Sequence, residues 1–336
     1  MDVEYAKKQY RTVGITAFVI AVALLVMRIV SYYVQIATID ESGAWYELMM
    51  DAVFTVPVQI GILVIFPFLM YKLRLKKSAR DVFEFSGFRK CSIWACLLCI
   101  PLGLLVVGLS MCLSVVWQIV LTLFGYMPSS SSSTLPEQFN AAYFVLSVVL
   151  TAVLPAICEE FANRGGLLTV MRSSHSKGKT ILLIAIAFGL FHQFVGQVFY
   201  TAVFGALLAY LVLETQSIYP AMIVHFMNNF TSVYIEHASE YNWVIGGGFY
   251  NYIDDNLISN TGVLTSWLAL ILLAVFGLLV AITSISRRQR QKDFYLELNT
   301  AHAEAGFKVE LRDKIFFIGA IVVCAVSTFV TYIFGL

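Results

Sequence analysis

The stretch that decides the fold runs from Ala141 to Gly166: Ala141-Ala142-Tyr143-Phe144-Val145-Leu146-Ser147-Val148-Val149-Leu150-Thr151-Ala152-Val153-Leu154-Pro155-Ala156-Ile157-Cys158-Glu159-Glu160-Phe161-Ala162-Asn163-Arg164-Gly165-Gly166. No residue from Ala141 to Cys158 is charged. A helix of about 20 apolar residues is what crosses a hydrocarbon core roughly 30 Å thick. The run continues to position 171, so 140–171 reads as one membrane span with two acids and an arginine set inside it. Pro155 can kink or tilt that span, because its ring removes a backbone donor.

The rest of the chain agrees with this reading. Hydrophobic residues make up 59% and charged residues 13% of the sequence, and mean hydropathy is +0.80. Soluble domains carry about 25% charged residues, so a chain this apolar needs the bilayer as its solvent. The fold class expected is all-α, a polytopic transmembrane helical bundle of about nine spans. Apolar segments fall at 13–38, 49–71, 92–125, 140–171, 180–195, 197–214, 217–235, 263–285 and 315–335. Residues 1–125 form N-terminal transmembrane helices, 140–236 a core that carries the chemistry, and 237–336 C-terminal transmembrane helices. The first apolar run is too long for a signal-peptide core and lacks a small-residue cleavage pattern after it. The six cysteines lie inside or at the edges of apolar segments, which predicts no disulfide framework. The run Met127 to Phe139, with its serines and threonines from Ser129 to Thr134, reads as a short flexible linker outside the membrane, and 73–90 mixes Phe83, Phe85 and Phe88 with basic residues, which suits either an anionic lipid surface or a plain solvated loop. The net charge of +1, with no basic patch interleaved with aromatics, predicts no nucleic-acid partner. Membrane lipid is the expected surrounding partner.

Basic residues set the orientation. Of the 22 Lys and Arg, 20 fall before span one, in 72–90, in 172–179 or in 287–314, all on one side of a nine-span bundle. Arg28 and Arg164 lie within spans. The opposite loops carry Asp40, Glu41, Glu47, Glu137, Glu236, Glu240, Asp254 and Asp255. The N-terminus is therefore expected in the cytoplasm, the C-terminus outside it, and the protein in the cell membrane.

Ionisable groups inside spans cost about 2.5–3.5 kcal/mol each on insertion scales, so they mark function or tight packing. Three constellations qualify. In Cys158-Glu159-Glu160-Phe161-Ala162-Asn163-Arg164, Glu160 and Arg164 are i,i+4 neighbours that can pair on one helix face. Glu159 points about 100° away and is left to meet another helix. Span five carries Phe188-Gly189-Leu190-Phe191-His192-Gln193, where a lone histidine also suits a hydrogen-bonded core residue. Span seven carries His225-Phe226-Met227-Asn228-Asn229, with His225 and Asn229 on one face; such a pair also glues helices together. At 1.5 Å per residue, Glu159, His192 and His225 lie ~24, ~20 and ~14 Å from the basic side. The depths agree well enough for one shared polar pocket.

The EExxxRG pattern at Glu159 to Gly165, FxxxH at Phe188 to His192 and HxxxN at His225 to Asn229, with the lead-in Ser217-Ile218-Tyr219-Pro220, resemble those of the CPBP intramembrane proteases. That family includes type II CAAX prenyl endopeptidases and bacterial proteins of bacteriocin processing or immunity. The resemblance covers roughly 140–236. It implies that Glu159 and His192 activate a water, that His225 and Asn229 stabilise the oxyanion, and that Glu160 and Arg164 position the site. It further implies a peptide or membrane-protein substrate. A carboxylate in a dry site suits general-base work, and imidazole and amide donors suit a developing negative charge. Zinc is the open alternative: Glu159, His192 and His225 can supply three ligands with a fourth position free. There is no HExxH motif, and water held by Glu159 and His192 without metal is the reading favoured. The alternative function is a non-proteolytic immunity or regulatory protein on the same scaffold. A proton-coupled transporter would need paired broken helices or repeats, which the sequence lacks.

Overall fold

A computed structural model describes residues 3–38, 43–126, 135–248, 251, 257, 260–293 and 309–334. Residues 127–134 of the linker, Asp40, Glu41, Asp254 and Asp255 lie outside the described residues. Among those described, the chain is all helical. We number the helices α1 (Val3–Ala37), α2 (Ala44–Arg74), α3 (Ala79–Phe85), α4 (Ile93–Leu123), α5 (Ala141–Ser174), α6 (Lys177–Phe191), α7 (Val195–Thr215), α8 (Tyr219–Glu240), α9 (Thr261–Asp293) and α10 (Leu311–Phe334). Seven of them (α1, α2, α4, α5, α7, α9 and α10) are long and apolar enough to cross a membrane. With α6 and α8, they make nine long helices among the described residues, roughly consistent with the nine apolar segments.

Among the boundaries that differ from the sequence reading, two bear on the charges and the site. Helix α1 starts at Val3, so Lys7, Lys8 and Arg11 lie on it rather than before it. Lys7 pairs with Glu310 at 2.8 Å and Arg11 with Asp313. These contacts tie the first helix to the last and draw charged residues into the helix end. The second difference is the break between α6 and α7, which falls at 192–194 rather than 195–197.

Helix α4 sits centrally and packs on α7, α8 and α9, while α1 lies along α10 and α6 pairs with α7. At Gly103 the absence of a side chain lets α4 approach α8, where a Cβ would collide with Met227. Such close backbone contact is how helices associate in lipid, where burial of apolar surface supplies no driving force between them.

Local helix geometry then aims the polar groups. Helix α5 widens into π turns at Val149–Val153 and again at Phe161–Leu168, with one regular stretch, Leu154–Glu160, between them. The first π turn leads directly into Pro155, which has no N–H to give the carbonyl of Thr151. Helix α2 carries a third π segment, Pro57–Ile65, which starts at a proline. Single π turns recur at functional sites, and here two of them bracket the Glu159-Glu160 pair.

The break after α6 exposes backbone polar groups deep in the bundle. Gln193 adopts the left-handed conformation with φ of 50°, which costs a non-glycine residue about 1–2 kcal/mol. The break is held from several helices. The Gln193 carbonyl accepts from Arg28 at 2.6 Å, its amide donates to the Ala21 carbonyl at 3.1 Å, and its Oε1 accepts from Ser327 at 2.9 Å. Val195 N–H donates to Thr331, and Trp117 donates to the Val195 carbonyl. Irregular backbone at membrane depth survives only when protein serves it in this way.

Candidate active site

Glu160 and Arg164 form the ion pair expected of i,i+4 neighbours, at 2.8 Å with both side chains fully buried. The guanidinium also donates to the Gly205 carbonyl at 3.2 Å and lies 4.3 Å over the Phe188 ring. Gly205 makes room for this packing, since a Cβ there would come within 2.9 Å of the Phe188 side chain. The same Oε1 of Glu160 is 2.9 Å from His225 Nδ1. Because an ionised carboxylate only accepts, Nδ1 carries the proton and donates. That bond turns His225 Nε2 toward Glu159, 4.0 Å from its Oε2.

Glu159 differs from its neighbour. Its side chain keeps 19% of its accessible surface and lines a cavity of ≈ 170 Å³ together with His192. Its Oε1 accepts from Gln59 Nε2 at 3.0 Å, and Asn163 donates to its backbone carbonyl at 2.9 Å. His192 sits at the end of α6, just past Phe191, rather than inside the helix as the sequence suggested. Its Nδ1 lies 2.8 Å from the Phe188 carbonyl, and a carbonyl can only accept. The proton is therefore on Nδ1, leaving the Nε2 lone pair to act as an acceptor.

The six sequence-selected residues thus fall into a cavity pair, Glu159 and His192, and a buried trio behind it, Glu160, Arg164 and His225. Asn229 stands apart. Its amide donates to the Thr151 carbonyl at 2.9 Å and its Oδ1 accepts from Asn228. Thr151 is the residue whose carbonyl Pro155 cannot serve, so Asn229 fastens α8 to the π turn that precedes Glu159.

The structure adds residues that the sequence reading passed over. Gln59 on α2 is buried and touches Glu159, and the signal was one amide inside the otherwise apolar run from Val56 to Met70. Arg28, at membrane depth on α1, secures the backbone beside His192. Val13, Thr16 and Ile20 of α1 line the cavity.

A catalytic zinc takes three protein ligands with N and O donors about 2.0–2.2 Å from the ion. Among the described residues, no three His, Cys, Asp or Glu side chains are gathered closely enough to do this. Glu159, His192 and His225 do not fit a metal as they stand, and the chemistry below uses none.

The bundle and its centre define a polytopic membrane protein that buries an acid–histidine cluster at the contact of α5, α6 and α8. Residues 141–231 match the family described as Type II CAAX prenyl endopeptidase Rce1-like, which supports membership in the CPBP family of intramembrane proteases. No curated protein and no solved structure matches the chain. The matched segment holds all three motifs and the whole acid–histidine cluster, but neither α1 nor α2.

Proposed function

We propose that the protein is an intramembrane endopeptidase that hydrolyses a peptide bond of a membrane-associated or lipidated substrate through a water held by Glu159 and His192. The observation that carries this reading is that both residues line one cavity with free acceptor atoms, the Glu159 carboxylate and His192 Nε2. Two acceptors can take the two protons of one water and aim its lone pair outward. Glu159 takes a proton as the water oxygen bonds to the substrate carbonyl carbon. His225 donates Nδ1–H to Glu160 and, when protonated on both nitrogens, offers Nε2–H to the developing oxyanion. With two carboxylates, one guanidinium and one imidazolium, the cluster is neutral, which suits its burial. Glu159 then returns the proton to the leaving nitrogen, the C–N bond breaks, and an amine and a carboxylic acid leave, the acid giving its proton to water on release. In this reading Glu160 and Arg164 position His225, and Asn229 sets the α5 turn and offers its second amide proton to the oxyanion. The basic loops face the cytoplasm, and the bundle sits in the cell membrane.

Glu159→Gln tests the base. The shape is kept, so the folded yield and melting midpoint should match wild type while cleavage of farnesylated and unlipidated fluorogenic peptides is lost. Substantial cleavage by Glu159→Gln would assign the base elsewhere.

A further inference from the structure

We infer that Gln59, on helix α2 outside the matched segment, is the positioning residue of Glu159 and holds its carboxylate toward the cavity. This rests on Glu159 being the base. Three observations bear on it. Gln59 Nε2 lies 3.0 Å from Glu159 Oε1. The side chain is 7% exposed and lines the same cavity as Glu159 and His192. Its Oε1 is buried with no hydrogen-bond partner among the described residues.

The orientation of the amide follows from the chemistry of its neighbour. An ionised carboxylate has no donor, so only the nitrogen end of an amide can face it without repulsion. The oxygen end is then free to accept from a group that enters the cavity. Gln59 thus fixes one carboxylate oxygen and leaves Oε2, the atom facing His225, for proton transfer. Its own Oε1 is left to accept from an N–H of the bound substrate. A purely structural glutamine would spend both ends on the protein, since buried polar atoms are nearly always paired. The π segment Pro57–Ile65 supplies the position. Gln59 lies two residues after its proline start, where widened geometry turns one polar side chain inward from a lipid-facing helix.

The experiment compares wild type, Gln59→Met and Gln59→Asn in detergent with farnesylated and unlipidated fluorogenic peptides, reading kcat, KM and the melting midpoint. Met keeps the length and loses both polar ends; Asn keeps the amide and loses the reach. Loss of a hydrogen bond to a charged group corresponds to a fall of about 10- to 100-fold in kcat. The inference expects that fall in both variants, with KM within about twofold and the midpoint unchanged or raised, as removing a buried amide allows. Wild-type kcat in either variant overturns it, as does a matching loss of midpoint and activity in both, which marks a structural glutamine. Glu159→Gln in the same assay separates the two ideas. An inactive Glu159→Gln beside a fully active Gln59→Met overturns only the role of Gln59, whereas an active Glu159→Gln, or a wild type that cuts neither peptide class, overturns the base and this inference together.

Discussion

Arg164→Ala probes the buried cluster most directly. The substitution removes a guanidinium that contacts Glu160 at 2.8 Å, the Gly205 carbonyl at 3.2 Å and the Phe188 ring at 4.3 Å. Removing one partner of a buried ion pair costs about 3–5 kcal/mol, because the other charge is stranded. Loss of a desolvated cation–π contact adds about 2 kcal/mol. Glu160 retains His225 at 2.9 Å, and that bond to a charged group offsets about 1.5–3 kcal/mol. The net loss is about 3–5 kcal/mol. At roughly 2 °C per kcal/mol for a large chain, the midpoint should fall by about 6–10 °C. All six cysteines are free and four are buried, so a thiol-reactive fluorophore in detergent reports the transition. The double variant Arg164→Ala with Glu160→Gln removes the stranded charge and should recover about half of the loss. A midpoint for Arg164→Ala within 2 °C of wild type would refute the reasoning. A double variant no more stable than the single would show that the loss comes from packing rather than from charge.

Asn229→Ala frees the Thr151 carbonyl and, in the proposed mechanism, removes an amide proton from the oxyanion; the midpoint should drop by an amount equivalent to about 1–3 kcal/mol and turnover by ~100-fold or more. A stable, fully active Asn229→Ala protein would take the residue out of the site. A reporter fused after Leu336 should be active only outside the cytoplasm and one inserted near Lys77 only within it, because 20 of the 22 basic residues fall in segments that nine spans put on one side; cytoplasmic activity of the C-terminal fusion would make the number of spans even. Purified protein should hold less than one zinc per chain and keep its activity after exhaustive chelation. Activity lost on chelation and restored by Zn²⁺ would mean that Glu159, His192 and His225 close around an ion.

The spans and the buried pair were legible because both are local properties. Uninterrupted apolar length marks a span, and i,i+4 spacing brings Glu160 to Arg164 whatever the rest of the chain does. The break at His192 was not legible in that way. Gln193 has ordinary helix propensity, and its left-handed backbone is held by Arg28, Ala21 and Ser327, residues more than 130 positions away along the chain. Gln59 escaped notice for another reason. A charge inside a span stands out by its insertion cost, whereas a neutral amide costs less and resembles any polar residue between helices. The double duty of Glu160, accepting from both Arg164 and His225, joins two motifs that the sequence shows only as separate patterns.

The division of labour between the matched segment and its flanks follows from who lines the cavity. Residues 141–231 supply the acids, the histidines and the arginine, yet nine of the sixteen cavity-lining residues come from α1 and α2. Those nine are mostly aliphatic, Val13, Ile20, Leu24 and Leu63 among them. Aliphatic walls contribute shape and dryness, and they discriminate side chains by only about 1–3 kcal/mol per methylene. Dryness strengthens every electrostatic contact within a cavity, so in the proposed mechanism the α1 and α2 walls would act on catalysis even where they touch no reacting atom. Gln59 is the point where wall and cluster meet, a flanking-helix residue in contact with Glu159. In the proposed reading, the acid–histidine cluster decides what reaction occurs, while α1 and α2 decide which chain can present its peptide bond there. Differences in substrate among proteins with the same three motifs should therefore map to the first two helices rather than to the motifs.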